Sequence, residues 1–391
     1  MLAQKAKTML TDTLIPFWKG LRDDARGGYY GYVDYDLRVN RQAEKGCILH
    51  SRILWFFSTA YLTLRRNDLL EEARHAYLFV RDCCFDSEYG GVFWSVDSGG
   101  RPADTTKHTY NQAFAVYALS AYYEASGDAG AIALARGLYR LIEERCTDEI
   151  GYLEAFDRRF RPAPNDKLSE NGVLAEKTMN TLLHVFEGYS GLYRATCDTE
   201  VGQSLRKIIE TFLSKIYNPE KRRQEVFFDR ELHSILDLHS YGHDIETSWL
   251  MDWGCSLLGD PELSARLSPV TQALAAEVYR TAFHGGSLWN ECDRGAENKN
   301  RVWWVQAEGV LGFLHAWEKE PEHTEYREAA QEIWKYIEAH LKDPRPGSEW
   351  FWEVGDDGKP VAGRPIVEPW KCPYHNGRMC MEVMRRVRDD T

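Results

Sequence analysis

The feature that most constrains the fold of this chain is an internal repeat of about sixty residues. A segment rich in glycine and then in aromatic residues occurs six times, with starts 63, 61, 74, 60 and 62 residues apart. Aromatic residues that alternate between Gly and Asp are typical of short β-hairpins. Repeats of this length bury their apolar faces against one another. The six copies begin at Gly27, Gly90, Gly151, Glu225, Gly285 and Gly347.

A second recurrent segment follows each predicted hairpin. Polar residues, often histidine, open it, and a long aromatic and aliphatic run continues it, as in HTYNQAFAVYALSAYY. Most copies are too long for strands and are apolar on more than one face, so the sequence predicts six buried helices. These copies begin at His50, His108, Lys177, Tyr241, Val302 and Pro373.

Charged, amphipathic segments lie between the buried helices. From Thr324 to Leu341 the apolar residues follow the i, i+3, i+4, i+7 spacing of a surface helix, and residues 69–80 and 201–216 behave similarly. Residues 2–21 are predicted to supply the remaining outer helix, as the partner of the His50 helix. The count is about six inner and six outer helices.

This count predicts an all-α chain that folds as an (α/α)6 barrel with short β-hairpins in its connecting loops. No linker rich in Pro or Ser divides the chain, so we expect one catalytic domain over residues 1–391. Closure would gather the polar starts of all six inner helices at one end, around one pocket. An open solenoid is the alternative, but it would expose aromatic-rich terminal helices and needs capping repeats that the sequence does not show.

Amino-acid composition narrows the classes of molecule that this protein is expected to bind. The formal net charge of −12 argues against nucleic acid or an anionic membrane as partner. Aromatic residues make up 13% of the chain, and because aromatic faces stack on sugars, a carbohydrate site is expected. The N-terminus has no secretory signal pattern, and the nine cysteines include no CxxC pair, so we expect a cytoplasmic protein with reduced thiols.

The segment HSYGHDIE carries the strongest candidate for acid–base chemistry. His243 and Glu246 are three residues apart and share one helix face, where a carboxylate can orient an imidazole and raise its basicity. A buried, satisfied His–Glu pair is the structural alternative. A zinc site made by His239, His243 and Glu246 is the other, but Gly242 suggests that the helix starts near Tyr241 and leaves His239 outside it.

Further candidates come from the starts of the other inner helices. His375 follows Pro373, which suits a first helical turn, so His375 is predicted at the pocket end of its helix. Arg52 opens an otherwise apolar helix and needs an anionic or polar partner, either a structural salt bridge or an oxyanion on a substrate. The other predicted pocket residues, rich in amide, imidazole and indole groups, are Tyr110, Asn180, His184, Trp303, Trp304, Glu308 and Trp370.

Two histidines, an arginine and flanking carboxylates suit removal of a proton next to a carbonyl group. Histidine titrates near neutral pH and can therefore act as base and as acid. An imidazole on each face of an open-chain aldose could remove and return the C2 proton through an enediolate. Arg52 would then offset the charge that grows on oxygen. No motif for a phosphate cradle or a serine-hydrolase elbow occurs.

The motifs HSRILWFFS, KHTYNQAFA, KTMN, HSYGHDIE, RVWWVQAE and WKCPYHNGRMC together resemble the N-acylglucosamine 2-epimerase superfamily, most closely its disaccharide-epimerising branch. The resemblance implies an (α/α)6 barrel, a cofactor-free and metal-free reaction, and a monomer. It implies inversion of C2 in the reducing-end glucose of β-1,4-linked disaccharides such as cellobiose, lactose and mannobiose, giving mannose.

The resemblance also implies roles for individual residues. His243 and His375 would be the acid–base pair, Arg52 the substrate arginine, and Glu246 and Glu308 supporting glutamates. The positions matching the sugar-contacting residues of the superfamily are Tyr110, Asn180, His184, Trp304 and Trp370. Three alternatives stay open. The first is another enzyme of the same superfamily, either an aldose–ketose isomerase or an N-acylglucosamine 2-epimerase. The second is an (α/α)6-barrel glycosidase, and the third is a sugar- or protein-binding module without catalysis.

Overall fold

A closed ring of six helices organises the computed structural model, which describes residues 2–167 and 172–387. The helices of this part of the chain are α1 (Leu2–Thr8), α2 (Ile15–Lys19), α3 (Cys47–Leu64), α4 (Asn67–Phe79), α5 (Thr109–Ser126), α6 (Ala129–Arg145), α7 (Met179–Thr196), α8 (Thr199–Thr211), α9 (Tyr241–Leu257), α10 (Pro261–Ala282), α11 (Trp303–Lys319), α12 (Thr324–Tyr336) and α13 (Tyr374–Arg386). Wider π-helical turns join α1 to α2 and extend α4, α8 and α12, at Met9–Leu14, Val80–Cys84, Phe212–Ile216 and Ile337–Leu341.

The odd-numbered helices from α3 to α13 form the inner ring. Each packs against the next, and α13 packs back against α3, so the ring is closed and the (α/α)6 barrel is confirmed. In α5 every residue from 109 to 122 is buried, because the helix contacts neighbours on both sides as well as an outer helix. Such a helix tolerates no charged face, which explains why residues 109–122 include no charged side chain.

The outer helices α4, α6, α8, α10 and α12 each pack against the inner helix that precedes them. They are amphipathic, as predicted. In α12 and the turn after it the apolar residues of the predicted stripe, Tyr326, Ala329, Ala330, Ile333, Trp334 and Ile337, are buried. Asp128, Asp198 and Asp260 cap α6, α8 and α10 by accepting hydrogen bonds from backbone N–H groups of the first turn.

The predicted pairing of residues 2–21 with the His50 helix is wrong. That helix, α3, is covered by α4, whereas α1 and the turn after it pack against α13. The reason is the circular arrangement, since α13 has no outer helix after it within the described residues. The first helix of the chain therefore covers the last one.

Strands of two or three residues connect the helices. An antiparallel pair begins inside each of the six predicted hairpin segments, which confirms the hairpins. One is the pair of strands Glu291–Asp293 and Ala296–Asn298. The other five are single bridges: Val33–Val39, Val96–Pro102, Phe156–Pro162, Phe228–Ser234 and Val354–Pro360. The strands are β1 (Lys45–Gly46), β2 (Ser95–Val96), β3 (Lys107–His108), β4 (Ala155–Phe156), β5 (Lys177–Thr178), β6 (Tyr217–Asn218), β7 (Arg223–Gln224), β8 (Phe227–Phe228), β9 (Leu238–Ser240), β10 (Phe283–His284), β11 (Ser287–Leu288), β12 (Glu291–Asp293), β13 (Ala296–Asn298), β14 (Arg301–Val302) and β15 (Glu353–Val354).

A ring of strand pairs fixes the starts of the inner helices. The strand before each inner helix from α3 to α11 pairs with the loop of the next repeat, as β1–β2, β3–β4, β5–β8, β9–β12 and β14–β15. The bridge between Val33 and Val367 occupies the sixth position. The N-termini of the inner helices are thereby held around one opening. No helix of the described residues is long and apolar enough to cross a membrane.

Candidate active site

A cavity of about 200 Å³ lies at the N-terminal end of the inner helices. All the predicted site residues except Glu308 line it. Its lining residues are Arg52, Tyr110, Lys167, Asn180, His184, Val226, Phe227, Leu238, Ser240, His243, Glu246, Asn290, Glu291, Asn298, Val302, Trp303, Trp304, Trp352, Glu353, Arg364, Trp370 and His375.

Helix register sorts the predicted side chains into two layers. The second residue of an inner helix supplies the upper layer, which comprises Tyr110, Asn180, Trp304 and His375. The sixth residue, one turn deeper, supplies Arg52, His184, Glu246 and Glu308. Residues four apart stack on the same helix face, so the repeat places polar groups at two depths of one pocket.

His375 is held by a buried carboxylate. Its Nδ1 lies 2.7 Å from Oε1 of Glu308, which is fully buried behind it. Burial lowers the pKa of His375 to about 3, although Glu308 opposes the shift. Burial would raise the pKa of Glu308, but Arg378 and His375 outweigh it and bring the pKa to about 2. The pair therefore holds a neutral imidazole beside an ionised carboxylate at neutral pH.

His243 has different surroundings. Its Nδ1 lies 2.7 Å from the hydroxyl oxygen of Ser240, the last residue of β9. Burial, followed by the nearby imidazoles of His184 and His375, lowers the pKa of His243 to about 3. The Trp304 ring contacts both imidazoles, with centroid separations of 4.8 Å to His243 and 5.4 Å to His375.

Glycine at position 242 makes this arrangement possible. A Cβ atom there would lie 2.5 Å from the Trp304 ring, closer than real Cβ contacts. The indole can therefore lie directly against the first turn of α9, beside His243.

Glu246 does not orient His243, which corrects the prediction from their i, i+3 spacing. It pairs instead with the Nη2 atom of Arg378, which lies on α13. The same guanidinium donates to Glu308 at 2.7 Å and, through Nη1, to Glu187 at 2.5 Å. Glu187 in turn lies 2.9 Å from Nδ1 of His184 and accepts from the hydroxyl of Tyr374. One buried arginine thus connects three carboxylates below the pocket.

Arg52 is a buried cation without a carboxylate partner among residues 2–167 and 172–387. Its guanidinium donates to the Tyr110 hydroxyl at 2.8 Å and lies 4.2 Å from the centre of the Phe114 ring. Although burial opposes the charge, the surrounding Tyr and Cys groups raise the pKa of Arg52 above its ordinary value. The structural salt bridge considered as an alternative is therefore wrong, and the positive charge remains available to an oxyanion in the pocket.

Two groupings of described residues at or beside the pocket could be considered for a metal ion. The zinc alternative built on His239 is wrong, because His239 lies in β9 and its Nε2 is 2.9 Å from Asp244. Ligand-type atoms of Glu246, Glu308 and His375 lie within 4.8 Å of one another, but Arg378 already donates to both carboxylates. These residues fit a guanidinium better than an added cation.

Three groups that hold the pocket together were not predicted as site residues. Ser240 directly precedes α9 and carries no signal beyond that position. Arg378 is part of the motif WKCPYHNGRMC but is not among the predicted site residues. Its four-residue spacing from Tyr374 was the available signal. Glu187 follows His184 by three residues, the spacing that places two side chains on one helix face.

Fold and pocket together define a class, namely (α/α)6-barrel proteins with an acid–base pocket built from two imidazoles, an arginine and clustered carboxylates. The sequence profile of the N-acylglucosamine 2-epimerase (GlcNAc 2-epimerase) family matches residues 28–376. The chain belongs to this family.

Individual relatives are similar over almost their whole length. A cellobiose 2-epimerase of Eubacterium cellulosolvens is 52% identical, over 96% of this chain and 96% of that protein. A cellobiose 2-epimerase of Ruminococcus albus is 48% identical, over 100% of both chains. The crystal structure of a sugar epimerase from a ruminal bacterium superposes with a TM-score of 0.98, at 48% identity and 100% coverage of both chains.

Proposed function

We propose that this protein inverts C2 of the reducing-end glucose in β-1,4-linked disaccharides such as cellobiose, lactose and mannobiose, giving mannose. The observation that carries the proposal is that two neutral imidazoles, His243 and His375, line the same cavity as Arg52, which has no carboxylate partner in the described part of the chain. Relatives named cellobiose 2-epimerase, at 42–52% identity over nearly the whole chain, support the same substrate class.

The proposed mechanism uses the two imidazoles from opposite faces of the sugar. After the pyranose opens, one neutral imidazole removes the C2 proton, and the other, as imidazolium, returns a proton to the opposite face. The enediolate formed between these steps carries negative charge on oxygen, which Arg52 stabilises. Glu308 stabilises the imidazolium of His375, so protonation of His375 costs less free energy than protonation of His243.

The remaining predicted residues bind the sugar in this proposal. Trp303, Trp304 and Trp370 offer indole faces, and Tyr110, Asn180 and His184 offer polar atoms to the cavity. The Oδ1 atom of Asn180 is buried and has no hydrogen-bond partner among the described residues, so it is free to accept from a hydroxyl group. Glu308 acts through His375 and does not line the cavity.

The geometry does not favour a glycosidase. An inverting glycosidase needs two carboxyl groups about 6.5–9.5 Å apart on either side of the bond to be cleaved. The carboxylates of Glu246 and Glu308 share the Nη2 atom of Arg378, and Glu308 lies outside the cavity lining.

Incubation of lactose and of cellobiose with the protein in D2O, followed by NMR, tests the proposal. We expect deuterium at C2 and the appearance of the mannose-containing epimer, with equal rates in the presence and absence of EDTA. Release of monosaccharide would indicate a glycosidase, and a ketose as the main product would indicate an isomerase. Binding of disaccharide without deuterium uptake would falsify any catalytic role.

The proposal extends to the protein as a whole. We assign residues 1–391 to one catalytic domain and expect a monomer that acts in the cytoplasm. All nine cysteines are unpaired, which suits a reducing compartment. Size-exclusion chromatography with light scattering at several concentrations tests the monomer.

A further inference from the structure

The three carboxylates around Arg378 are not equivalent. Glu308 is bonded to three groups, which are Arg378, the Nδ1 of His375 and the indole N–H of Trp249 at 3.0 Å. Glu246 accepts only from Arg378, through Oε1. Its Oε2 is buried and accepts from no residue within 2–167 or 172–387.

Glu187, like Glu308, has three partners, which are Arg378, the hydroxyl of Tyr374 and the imidazole of His184. Glu246 is therefore the carboxyl group with the fewest donors. It is also the only one of the three that lines the cavity.

Charge balance within this cluster favours one proton on a carboxyl group. Three buried carboxylates face one guanidinium, and like charges at such distances do not all ionise in a low-dielectric interior. The proton belongs on the group with the weakest hydrogen bonding, which is Glu246. Burial and the neighbouring Glu308 raise the pKa of Glu246 to about 8 against the opposing effect of Arg378. Because Oε1 already accepts from Arg378, the proton resides on Oε2.

We propose that protonated Glu246 is the general acid that opens the sugar ring, an inference that rests on the proposed epimerase function. The C1–O5 bond breaks and its electron pair goes to O5, which takes the proton from Oε2 of Glu246. The O1–H bond breaks at the same time, its electrons form the C1=O1 bond, and its proton passes to the neutral imidazole of His375. Charge is conserved, because Glu246 becomes carboxylate as His375 becomes imidazolium.

Ring opening also supplies the imidazolium that inversion of C2 needs. Both histidines are neutral in the resting pocket, yet returning a proton to C2 requires one imidazolium. Ring opening provides it, since the proton that leaves O1 converts His375 into the acid. On ring closure of the product, O5 returns its proton to Glu246 and O1 takes the proton that His243 removed from C2, so both histidines are neutral again.

An acyclic substrate separates ring opening from the chemistry at C2. In 4-O-β-D-glucosyl-L-threose, C2 and C3 have the configuration of glucose, but O4 is glycosylated and O5 is missing, so no ring forms. The experiment measures deuterium uptake at C2 from D2O for lactose and for this compound. In Glu246→Gln the ratio of acyclic to cyclic rate should rise about 100-fold or more over that of the unmodified protein, the size typical of a lost general acid.

Glu308→Gln is the matched control, since it makes the same chemical change on the same guanidinium. Glu308 acts through His375, which serves both ring opening and the chemistry at C2, so this variant should slow both substrates and raise the ratio by clearly less than Glu246→Gln does. An unchanged ratio in Glu246→Gln overturns the inference. Absence of exchange with both substrates in the unmodified protein instead overturns the proposed function.

Anomer exchange in lactose, measured by saturation-transfer NMR, is a second readout that does not depend on the acyclic compound. His243→Asn should lose C2 exchange but still accelerate anomer exchange, whereas Glu246→Gln should lose both. Retained anomer exchange in Glu246→Gln overturns the inference. Circular dichroism and thermal unfolding of each variant establish that the barrel is intact.

The pH profile of the unmodified protein needs no variant. Glu246 must be protonated to act, so the rate with lactose should fall as pH rises through its pKa of about 8, and the acyclic substrate should lack this fall. The charged and titratable groups that face Glu246 from neighbouring helices are Arg378, Tyr374 and His375 on α13, Glu308 on α11, Glu187 on α7 and Tyr110 on α5. An equal fall for both substrates contradicts the assignment.

Discussion

His243 and His375, two of the three imidazoles that the described residues contribute to the pocket, both have a pKa lowered to about 3 but have different partners. His375 is 2.7 Å from the carboxylate of Glu308, and Arg378 holds that carboxylate in place. His243 is 2.7 Å from the hydroxyl of Ser240, a neutral group at the end of a strand. A carboxylate stabilises an imidazolium strongly, whereas a hydroxyl mainly fixes the orientation of the ring.

This difference shows that the surroundings of His243 and His375 are specialised, although the barrel consists of six similar repeats. Both imidazoles are neutral at rest. Of these two, His375 is the one with a carboxylate within hydrogen-bond distance to stabilise its charged form. In the proposed mechanism, which needs a base and an acid on opposite faces of the sugar, this asymmetry would let His375 hold the extra proton between the two steps.

The largest expected effect comes from removing either imidazole. His243→Asn and His375→Asn should each lower the rate of epimerisation by at least about 10³-fold, since each loses a general acid or base. Residual deuterium exchange at C2 should be confined to one epimer, and the two variants should retain opposite epimers. NMR of lactose and of its epimer, each incubated separately in D2O, measures this. Epimerisation within about tenfold of the unmodified rate in either variant removes that histidine from the mechanism.

Glu308→Gln should have the next largest effect. It keeps a hydrogen bond to His375 but removes the charge, and bonds to charged groups are worth about 1.5–3 kcal/mol, or roughly 10–150-fold in rate. The loss should appear in kcat, with little change in KM, because Glu308 does not line the cavity. Steady-state kinetics with lactose separates the two constants. A loss confined to KM contradicts the positioning role.

Ser240→Ala should have the smallest effect. A neutral hydrogen bond contributes about 0.5–1.5 kcal/mol, or roughly 2–12-fold in rate. The same kinetic assay measures it, with thermal unfolding as a control for the fold. If Ser240→Ala lowers the rate as much as Glu308→Gln does, the partners of His243 and His375 are equivalent, which contradicts the comparison.

The fold was largely predictable because each repeat shows the hydrophobic pattern of its helices within a short stretch of sequence. Buried helices such as α5 are mostly apolar and carry no charged residue over their buried turns, and amphipathic helices such as α12 show a single apolar stripe. The partner of residues 2–21 was not predictable in the same way. Its contact with α13 joins opposite ends of the chain, and local periodicity carries no information about such a pair.

The site was predictable where residue type and helix position agree, as for His375 and Arg52. The site was less predictable where two groups compete to pair with the same side chain. The i, i+3 spacing predicts that Glu246 bonds His243, yet Glu246 pairs with Arg378, 132 residues away. A fixed cation outcompetes a neutral imidazole for a carboxylate, but only the closed barrel brings that cation within reach.

The docking of α1 onto α13 has a consequence for the growing polypeptide on the ribosome. His375 and Arg378 both lie on this last helix of the ring, so a nascent chain that has released only α1 to α12 lacks an imidazole and the guanidinium that anchors the carboxylates. Its N-terminal segment can dock only after α13 has been synthesised. In the proposed mechanism, sugar turnover therefore begins only after synthesis has passed α13.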